Sequence, residues 1–405
     1  MLEALRIRDF RLLWFARLVS LLGSWLLVIA VPAYVYELTG SLVATGLTLA
    51  AEFLPSVLFG AVAGVLVDRW DRRRVMIAAD LARAAAVVLL LLARGPGDVW
   101  LVYLALVAES LGTVVFRPAA QAHLPVVVGT GRALSSANGL NAVTDGTVRL
   151  VGPPLGGLLL AWAGFDLLVW VDTGTYLLSA AAIALTARPA VPTERRPGGV
   201  GRLVAELREG LVFLRGERTA GALLLVNTLF LAANASLAAL LVPFGVTVLG
   251  GSGQVGLVMS GLGVGFLLGA PLVRVLVDRV PPAQLLGGAL VVTGVGFVLL
   301  FSSDTVTFAL AWAVPLGLVG SAVLVAGQTL LQRVTPNQVL GRISAVLFTG
   351  EAVATFAGAV AGPAVAEALS LTSAAYLAGA VTALSGLLAV LTLPRRHLLE
   401  HPVLG

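Results

Sequence analysis

The chain has 405 residues, of which 59% are hydrophobic and only 12% are charged. A soluble globular domain carries roughly 25% charged residues, so this composition excludes an ordinary soluble fold. There is no cysteine, which excludes disulfides, thiol catalysis and cysteine zinc sites, and the net charge of +5 is not gathered in a basic domain that would indicate nucleic-acid binding.

Apolar runs long enough to cross a bilayer as a helix, about 20 residues or more, recur from end to end. Backbone polar groups in lipid must be satisfied within their own segment, and these runs do not alternate as the strands of a membrane barrel do. We therefore predict an all-α membrane protein with twelve transmembrane helices. Their centres are expected near residues 24, 55, 85, 110, 147, 177, 234, 264, 293, 319, 355 and 382.

The first run follows Arg6, Arg8 and Arg11 and so looks at first like a signal peptide. It is too long, contains Arg17 and ends in YELTG without a small-residue cleavage site, so we interpret it as an uncleaved first span. All 26 basic residues are arginine, and nearly all fall in alternate connections, including Arg117 after the fourth span. Cytoplasmic loops carry such an excess, which places both termini in the cytoplasm and the chain in the cell (inner) membrane.

The connection between the second and third spans reads GVLVDRWDRRR from Gly64 to Arg74. It resembles the cytoplasmic signature of the major facilitator superfamily, Gly-x-x-x-Asp-Arg-x-x-Arg-Arg. We interpret it as a gate, in which the carboxylate of Asp68 pairs with arginines and accepts helix N-terminal amides. The alternative is that the arginines only anchor the topology. The predicted gate residues are Gly64, Asp68, Arg69, Asp71, Arg72, Arg73, Asp278 and Arg279.

The fifth span contains GPPLGG, from Gly152 to Gly157. It resembles the helix 5 signature of drug–proton antiporters, although Val148 stands where that signature begins with glycine. With FRLLWFARLV near the N-terminus, it makes the chain similar to the branch of macrolide-efflux and enterobactin-exporter-type proteins. We predict that proline breaks the helix here and that the glycines pack against the other half, with or without a gating role. The residues of this kink are Gly152, Pro153, Pro154, Gly156 and Gly157.

Charged groups inside the spans cost roughly 2.5 to 3.5 kcal/mol at the bilayer centre, so they usually face a cavity or a partner. Glu109, in the fourth span, is the most isolated acid and the predicted proton carrier. Asp145 and Arg149 are four residues apart on one helix face and are expected to pair, either structurally or as a sensor of proton or substrate. Asp80 and Arg83, near a cytoplasmic end, are also expected to pair.

Two asparagines of the seventh span, Asn227 and Asn234, are seven residues apart and face one way. They are candidates either for substrate binding or for hydrogen bonds between helices. Asp172 is ambiguous, because the family resemblance places the sixth helix toward the outside of the bundle. The predicted proton and substrate pathway comprises Glu109, Asp145, Arg149, Glu52, Arg17, Glu351, Asn227 and Asn234.

The pentapeptide VLVDR occurs at 65–69 and again at 275–279, a shift of 210 (275 − 65). Three dipeptides repeat at the same shift, Gly-Leu at 46, Gly-Arg at 131 and Gly-Pro at 152. We therefore predict two pseudo-symmetric six-helix halves, which are parallel because six is even. The predicted domains are 1–187, a cytoplasmic linker with an amphipathic surface helix at 188–218, a second half at 219–394 and a tail at 395–405.

Parallel six-helix halves are typical of secondary transporters that rock about a central site. The expected function is alternating-access export of a hydrophobic or amphipathic small molecule such as a drug, siderophore or lipid-like compound, by proton antiport. The expected partners are the lipid bilayer, the substrate and protons, without cofactor, metal or nucleic acid, and the chain is expected to be monomeric and not an enzyme. The alternatives are a facilitated or uptake carrier without proton coupling and, remotely, a prenyltransferase-like enzyme built on the acids at 68 and 71.

Overall fold

The computed structural model describes residues 4–67, 70–129, 131–187, 212, 216–277, 279–334 and 337–393. These residues contain no β-strand, which confirms the all-α class. After a 3₁₀ turn at Ala4–Arg6, their helices are α1 (Arg8–Thr39), α2 (Leu42–Val67), α3 (Arg72–Val88), α4 (Val99–Val128), α5 (Arg132–Ala184), α6 (Arg218–Thr247), α7 (Ser252–Leu276), α8 (Pro282–Phe301), α9 (Val306–Val334), α10 (Asn337–Ala368) and α11 (Leu371–Thr392).

Ten helical stretches within the described residues are long and apolar enough to cross a membrane. One of them, α5, has 53 residues, or about 80 Å of helix, more than twice the bilayer hydrocarbon thickness. Its backbone turns at Gly164, where φ is +79°, a conformation that favours glycine because it has no Cβ. α5 is therefore two arms, 132–163 and 165–184, and the number of membrane crossings stays a prediction.

The helix does not break at Gly152, Pro153 and Pro154, because α5 keeps helical φ and ψ through these residues, and a bend of its axis there stays a prediction. Pro153 and Pro154 lack the N–H groups that would bond to the carbonyls of Arg149 and Leu150, and the helical backbone continues through both. The glycines also pack differently from the prediction: a Cβ on Gly156 would lie 2.3 Å from the carbonyl oxygen of Leu26 in α1. This motif therefore seats α5 on a helix of its own half, and Gly157 is buried as well.

The chain forms two compact units. In the first unit, which contains the described residues of 1–40 and 47–203, α1 packs along α5, and α3 packs against α4 and the second arm of α5. In the second unit, α6 packs along α10, α7 against α9, and α8 against α11 and α9. The predicted domain boundaries stay predictions, since nearly all of the linker 188–218 and the tail 395–405 lie outside the described residues.

The internal repeat extends to packing between helices. A Cβ on Gly152 would lie 2.5 Å from the Cβ of Trp25, and one on Gly362, 210 residues later, would lie 2.6 Å from the Cβ of Ser236. The second copy also has the glycine that Val148 replaces in the first: a Cβ on Gly358 would lie 2.0 Å from the carbonyl oxygen of Ala232. Small residues allow this close backbone approach. The duplicated sequence therefore builds the same kind of α1–α5 contact twice.

Candidate functional site: a polar cavity in the first unit

A cavity of about 80 Å³ lies in the first unit, between α1, α2, α4 and the second arm of α5. One water needs about 10–15 Å³, so the cavity has room for several. Most of its wall is formed by leucine, valine, alanine and proline side chains. The polar residues in its wall are Ser24, Thr48, Glu52, Glu109, Asp172 and Tyr176.

Glu109 is the centre of the hydrogen bonds around this cavity. Its Oε1 accepts from the hydroxyl of Tyr176 at 2.7 Å and from that of Thr113, one turn further along α4, at 2.9 Å. The Tyr176 oxygen also lies 2.8 Å from the hydroxyl of Ser24 in α1. The prediction that Glu109 is isolated is wrong: its carboxylate joins α4 to the second arm of α5 and, through Tyr176, to α1.

Two further acids face the same cavity, Glu52 from α2 and Asp172 from α5. Asp172 is only 1% exposed and accepts from the hydroxyl of Thr175 at 3.1 Å. The helix that carries Asp172 therefore turns this residue inward, and Gly23 of α1 makes the room, because a Cβ there would lie 2.2 Å from the Asp172 carboxylate.

A buried cation lies directly behind the cavity. Asp80 and Arg83 form an ion pair in which both side chains are buried, and this confirms the predicted pairing. Ser179 donates to the second oxygen of Asp80 at 2.6 Å. The guanidinium of Arg83 lies 4.4 Å from the ring centroids of both Phe116 and Tyr176. Tyr176 therefore contacts the cation through its ring and Glu109 through its hydroxyl.

A second ion pair differs from the prediction. The carboxylate of Asp145 accepts two hydrogen bonds from Nη2 of Arg17, at 2.6 and 2.9 Å, and one from Nε at 3.1 Å. Arg149 instead lies over the ring of Trp25, with 5.5 Å between guanidinium and ring centroid. The expected pairing of Asp145 with Arg149 is wrong because α1 packs along α5 and brings the planar fork of Arg17 to this carboxylate.

The predicted gate is described only in part. Asp68, Arg69 and Asp278 lie outside the described residues, and nothing is described of the surroundings of Gly64, so the gate stays a prediction. Arg279 is exposed in the turn after α7. The Asp71 carboxylate caps α3 by accepting from the amide of Arg74 at 3.0 Å. Arg72 donates to the carbonyl of Ala122 at 2.9 Å, and Arg73 donates to the carbonyls of Ile183 and Ala184 at the end of α5.

In the second unit, the amide of Asn227 in α6 donates to Glu351 of α10 at 3.2 Å. This bond between helices supports the interhelical alternative for Asn227. Asn234, on the same helix, is exposed. Among the predicted residues of the second unit that the structure describes, only Asn227 and Glu351 are in contact.

Sequence reasoning did not single out Ser24, Thr113, Phe116 or Tyr176. A signal was present for two of them, since Thr113 follows Glu109 by four residues and Tyr176 follows Asp172 by four, the spacing that places side chains on one helix face. Sequence reasoning also did not predict a group of contacts near the C-terminal end of α1. There Tyr34 stacks on Phe165 with ring centroids 4.0 Å apart, and an exposed bidentate pair joins Arg94 to Asp166 at 2.9 Å.

Among curated proteins, macrolide efflux protein A of Streptococcus pyogenes is 31% identical over 224 residues, which is 55% of this chain and 55% of that protein. Multidrug efflux pump Tap of Mycobacterium tuberculosis is 32% identical over 233 residues, or 54% of this chain and 55% of that protein. The chain spans about half the length of the curated relatives it matches.

Two solved structures share the fold across the chain. A mutant of the nucleoside transporter NupG has a TM-score of 0.73 at 10% identity, covering 95% of this chain and 98% of that one. A POT family transporter, in complex with a thioalcohol-conjugated peptide, has a TM-score of 0.75 at 11% identity, covering 95% and 96%. These likenesses show the fold alone. The model of the transmembrane secretion effector family matches residues 1–400, so the chain belongs to this family of the major facilitator superfamily.

Proposed function

We propose that this chain is an alternating-access secondary transporter that exports a hydrophobic or amphipathic small molecule from the cell, in exchange for protons. The observation that carries the proposal is the polar cavity, in which Glu109 joins three helices through hydrogen bonds. Family membership and the relatives named as efflux proteins support export. Twelve spans in two parallel halves, cytoplasmic termini and a cell-membrane location are part of the proposal.

In this mechanism, Glu109 is the group that takes up and releases the proton. Ionised Glu109 receives charge-assisted hydrogen bonds from Tyr176 and Thr113, which are roughly twice as strong as neutral ones. Protonation weakens these bonds and so loosens the connection between α4, α1 and the second arm of α5. The proton binds one conformation of the first unit more tightly than the other, so its binding shifts the population toward that conformation.

The proposed substrate class rests on the mostly apolar wall of the cavity. A hydroxyl-rich sugar would require many hydrogen-bonding side chains, whereas the cavity wall is mostly leucine, valine and alanine. Binding sites with such walls suit hydrophobic or amphipathic organic molecules, whose orientation is fixed by a few polar groups.

The test is accumulation of labelled amphipathic compounds, cationic and anionic, in drug-hypersensitive cells that express the chain. We expect wild type to lower accumulation and Glu109→Gln to lose most of the efflux rate at equal abundance in the membrane. The matched control is Glu37→Gln, since Glu37 is exposed near the end of α1 and does not line the cavity. Efflux by Glu109→Gln at the wild-type rate would refute the role of this acid.

Coupling is tested in the same cells with a cytoplasmic pH indicator. An antiporter brings protons in as substrate leaves, so substrate addition to energised cells is expected to acidify the cytoplasm. Efflux without acidification would favour the alternative function, a carrier without proton coupling.

A further inference from the structure

A second polar cluster of the first unit lies outside the cavity. It consists of Arg17 from α1, Arg117 from α4, and Asp145 and Arg149 from α5, and we call it the arginine face. Arg117 lies within electrostatic range of the other three residues. Arg117 and Arg149 are exposed, and the side chains of Arg17 and Asp145 are 34% and 39% exposed.

The arginine face lies well inside the helices rather than at their ends. Arg117 was expected in the connection after the fourth span, but it lies 11 residues (128 − 117) before the end of α4, or about 16 Å along the helix. Arg149 lies 17 residues (149 − 132) after the start of α5, or about 26 Å along it. Arginine is costly in hydrocarbon, so exposed arginines at this depth face an aqueous space or a polar partner.

The charges of the arginine face do not balance, because it has three cations and one anion. Asp145 is held by three hydrogen bonds from Arg17. Neither Arg117 nor Arg149 forms a salt bridge with any residue that the structure describes. The guanidinium of Arg149 lies over the ring of Trp25, within the distance of a cation–π interaction. Neither guanidinium therefore has an anionic partner among the described residues.

We propose that the arginine face binds the anionic group of the exported substrate, a carboxylate, sulfonate or phosphate on an amphipathic molecule. The guanidinium fork matches the geometry of these oxyanions and donates two parallel hydrogen bonds. Asp145 positions Arg17 and reduces the net positive charge of the arginine face, so that the bound anion can also dissociate. This inference rests on the proposed export function and defines its substrate class more narrowly.

The test compares two fluorescent probes that differ by one sulfonate, 1-anilinonaphthalene-8-sulfonate and N-phenyl-1-naphthylamine. Binding is measured on the purified full-length chain in zwitterionic nanodiscs, with empty nanodiscs subtracted. A hydrogen-bonded charge contributes about 1.5–3 kcal/mol, so we expect Arg149→Gln and Arg117→Gln each to weaken sulfonate binding about tenfold or more. Affinity for the neutral probe is expected to be unchanged.

The matched control is Arg132→Gln, which removes an exposed arginine at the start of the same helix, α5. Arg149→Lys keeps the positive charge but lacks the guanidinium fork, and it serves as a control for misfolding. It is expected to bind the sulfonate with intermediate affinity. Equal loss in Arg132→Gln and Arg149→Gln, or no loss in Arg149→Gln and Arg117→Gln, would overturn the proposal.

A lipid phosphate has the same chemistry as the anionic group of the proposed substrate. Two competition measurements therefore distinguish a soluble anion from a lipid headgroup. If the face binds a soluble anion, millimolar inorganic phosphate competes with the sulfonate probe while phosphatidylglycerol in the nanodisc does not. Competition by phosphatidylglycerol alone would assign the face to lipid headgroups and overturn the substrate role. All arms are run without a proton gradient, so their failure would leave the Glu109→Gln efflux result unaffected.

Discussion

Arg83 is a buried cation whose charge is balanced by one carboxylate, that of Asp80. Breaking a buried ion pair by removing one partner costs about 3–5 kcal/mol, because the other charge is left uncompensated. We therefore expect Asp80→Asn to lower the apparent melting temperature of the purified chain sharply, as measured by intrinsic fluorescence in detergent. The double variant Asp80→Asn with Arg83→Met is expected to recover most of this loss.

The matched comparison is the exposed pair of Arg94 and Asp166, for which Asp166→Asn is expected to change the melting temperature little. If Asp80→Asn melted like wild type, the buried pair would not be the main stabilising contact of this cluster. If the double variant melted as low as the single one, the loss would come from contacts other than uncompensated charge.

Spacing along one helix predicts which side chains share a face, but it does not decide which of them form a pair. Asp80 and Arg83 are three residues apart and pair as expected. Asp145 and Arg149 are four apart, yet Asp145 takes Arg17 of another helix as its partner. Spacing brings two side chains to one face, but the partner is decided by the neighbouring helix that the face meets. For the same reason the sequence indicated Glu109 but not Tyr176 as its donor.

Glycines allow pairs of helices to pack closely, and other glycines on the same helices, which make no such contact, serve as matched controls. A Cβ on Gly156 would meet the backbone oxygen of Leu26, whereas one on Gly146, on the same arm of α5, has no neighbour within 4 Å. We expect Gly156→Ala to lower the melting temperature and Gly146→Ala to leave it unchanged or raise it slightly, because alanine favours helix over glycine.

The same comparison applies to the second unit. A Cβ on Gly358 would meet the backbone oxygen of Ala232, whereas one on Gly350 would have its nearest neighbour at 3.7 Å. Gly358→Ala is expected to destabilise and Gly350→Ala to have little effect, in the same thermal assay. Similar melting temperatures for Gly358→Ala and Gly350→Ala would show that close approach of α6 and α10 is not required.

At the scale of helices, apolar runs predicted where helices lie better than where they turn. Residues 147 and 177, expected as the centres of two spans, fall in the two arms of α5. The turn between the arms is at Gly164, whose left-handed backbone is visible only in the structure, whereas the prolines that were expected to break the helix do not. Each proline removes one backbone donor, but α5, which packs along α1, continues through both.

For the whole molecule, composition and the long apolar runs predicted an all-α membrane protein, because so few charges exclude a soluble fold and the runs do not alternate as barrel strands do. The motif from Gly64 to Arg74 pointed to the major facilitator superfamily, and the family match across residues 1–400 confirms it. The repeat at a shift of 210 predicted two pseudo-symmetric halves, and the structure has equivalent glycine contacts in the two units, at Gly152 and Gly362. The cavity was beyond prediction, since it requires acids from three helices to converge.

The central claim is that Glu109 couples proton movement to substrate export. It is tested most directly in proteoliposomes that contain a pH indicator and the purified chain, by imposing a gradient of the substrate found in the accumulation assay. We expect protons to move opposite to substrate through wild type and through Glu37→Gln, and we expect Glu109→Gln to move none. Substrate-driven proton movement through Glu109→Gln at the wild-type rate would show that Glu109 does not carry the proton.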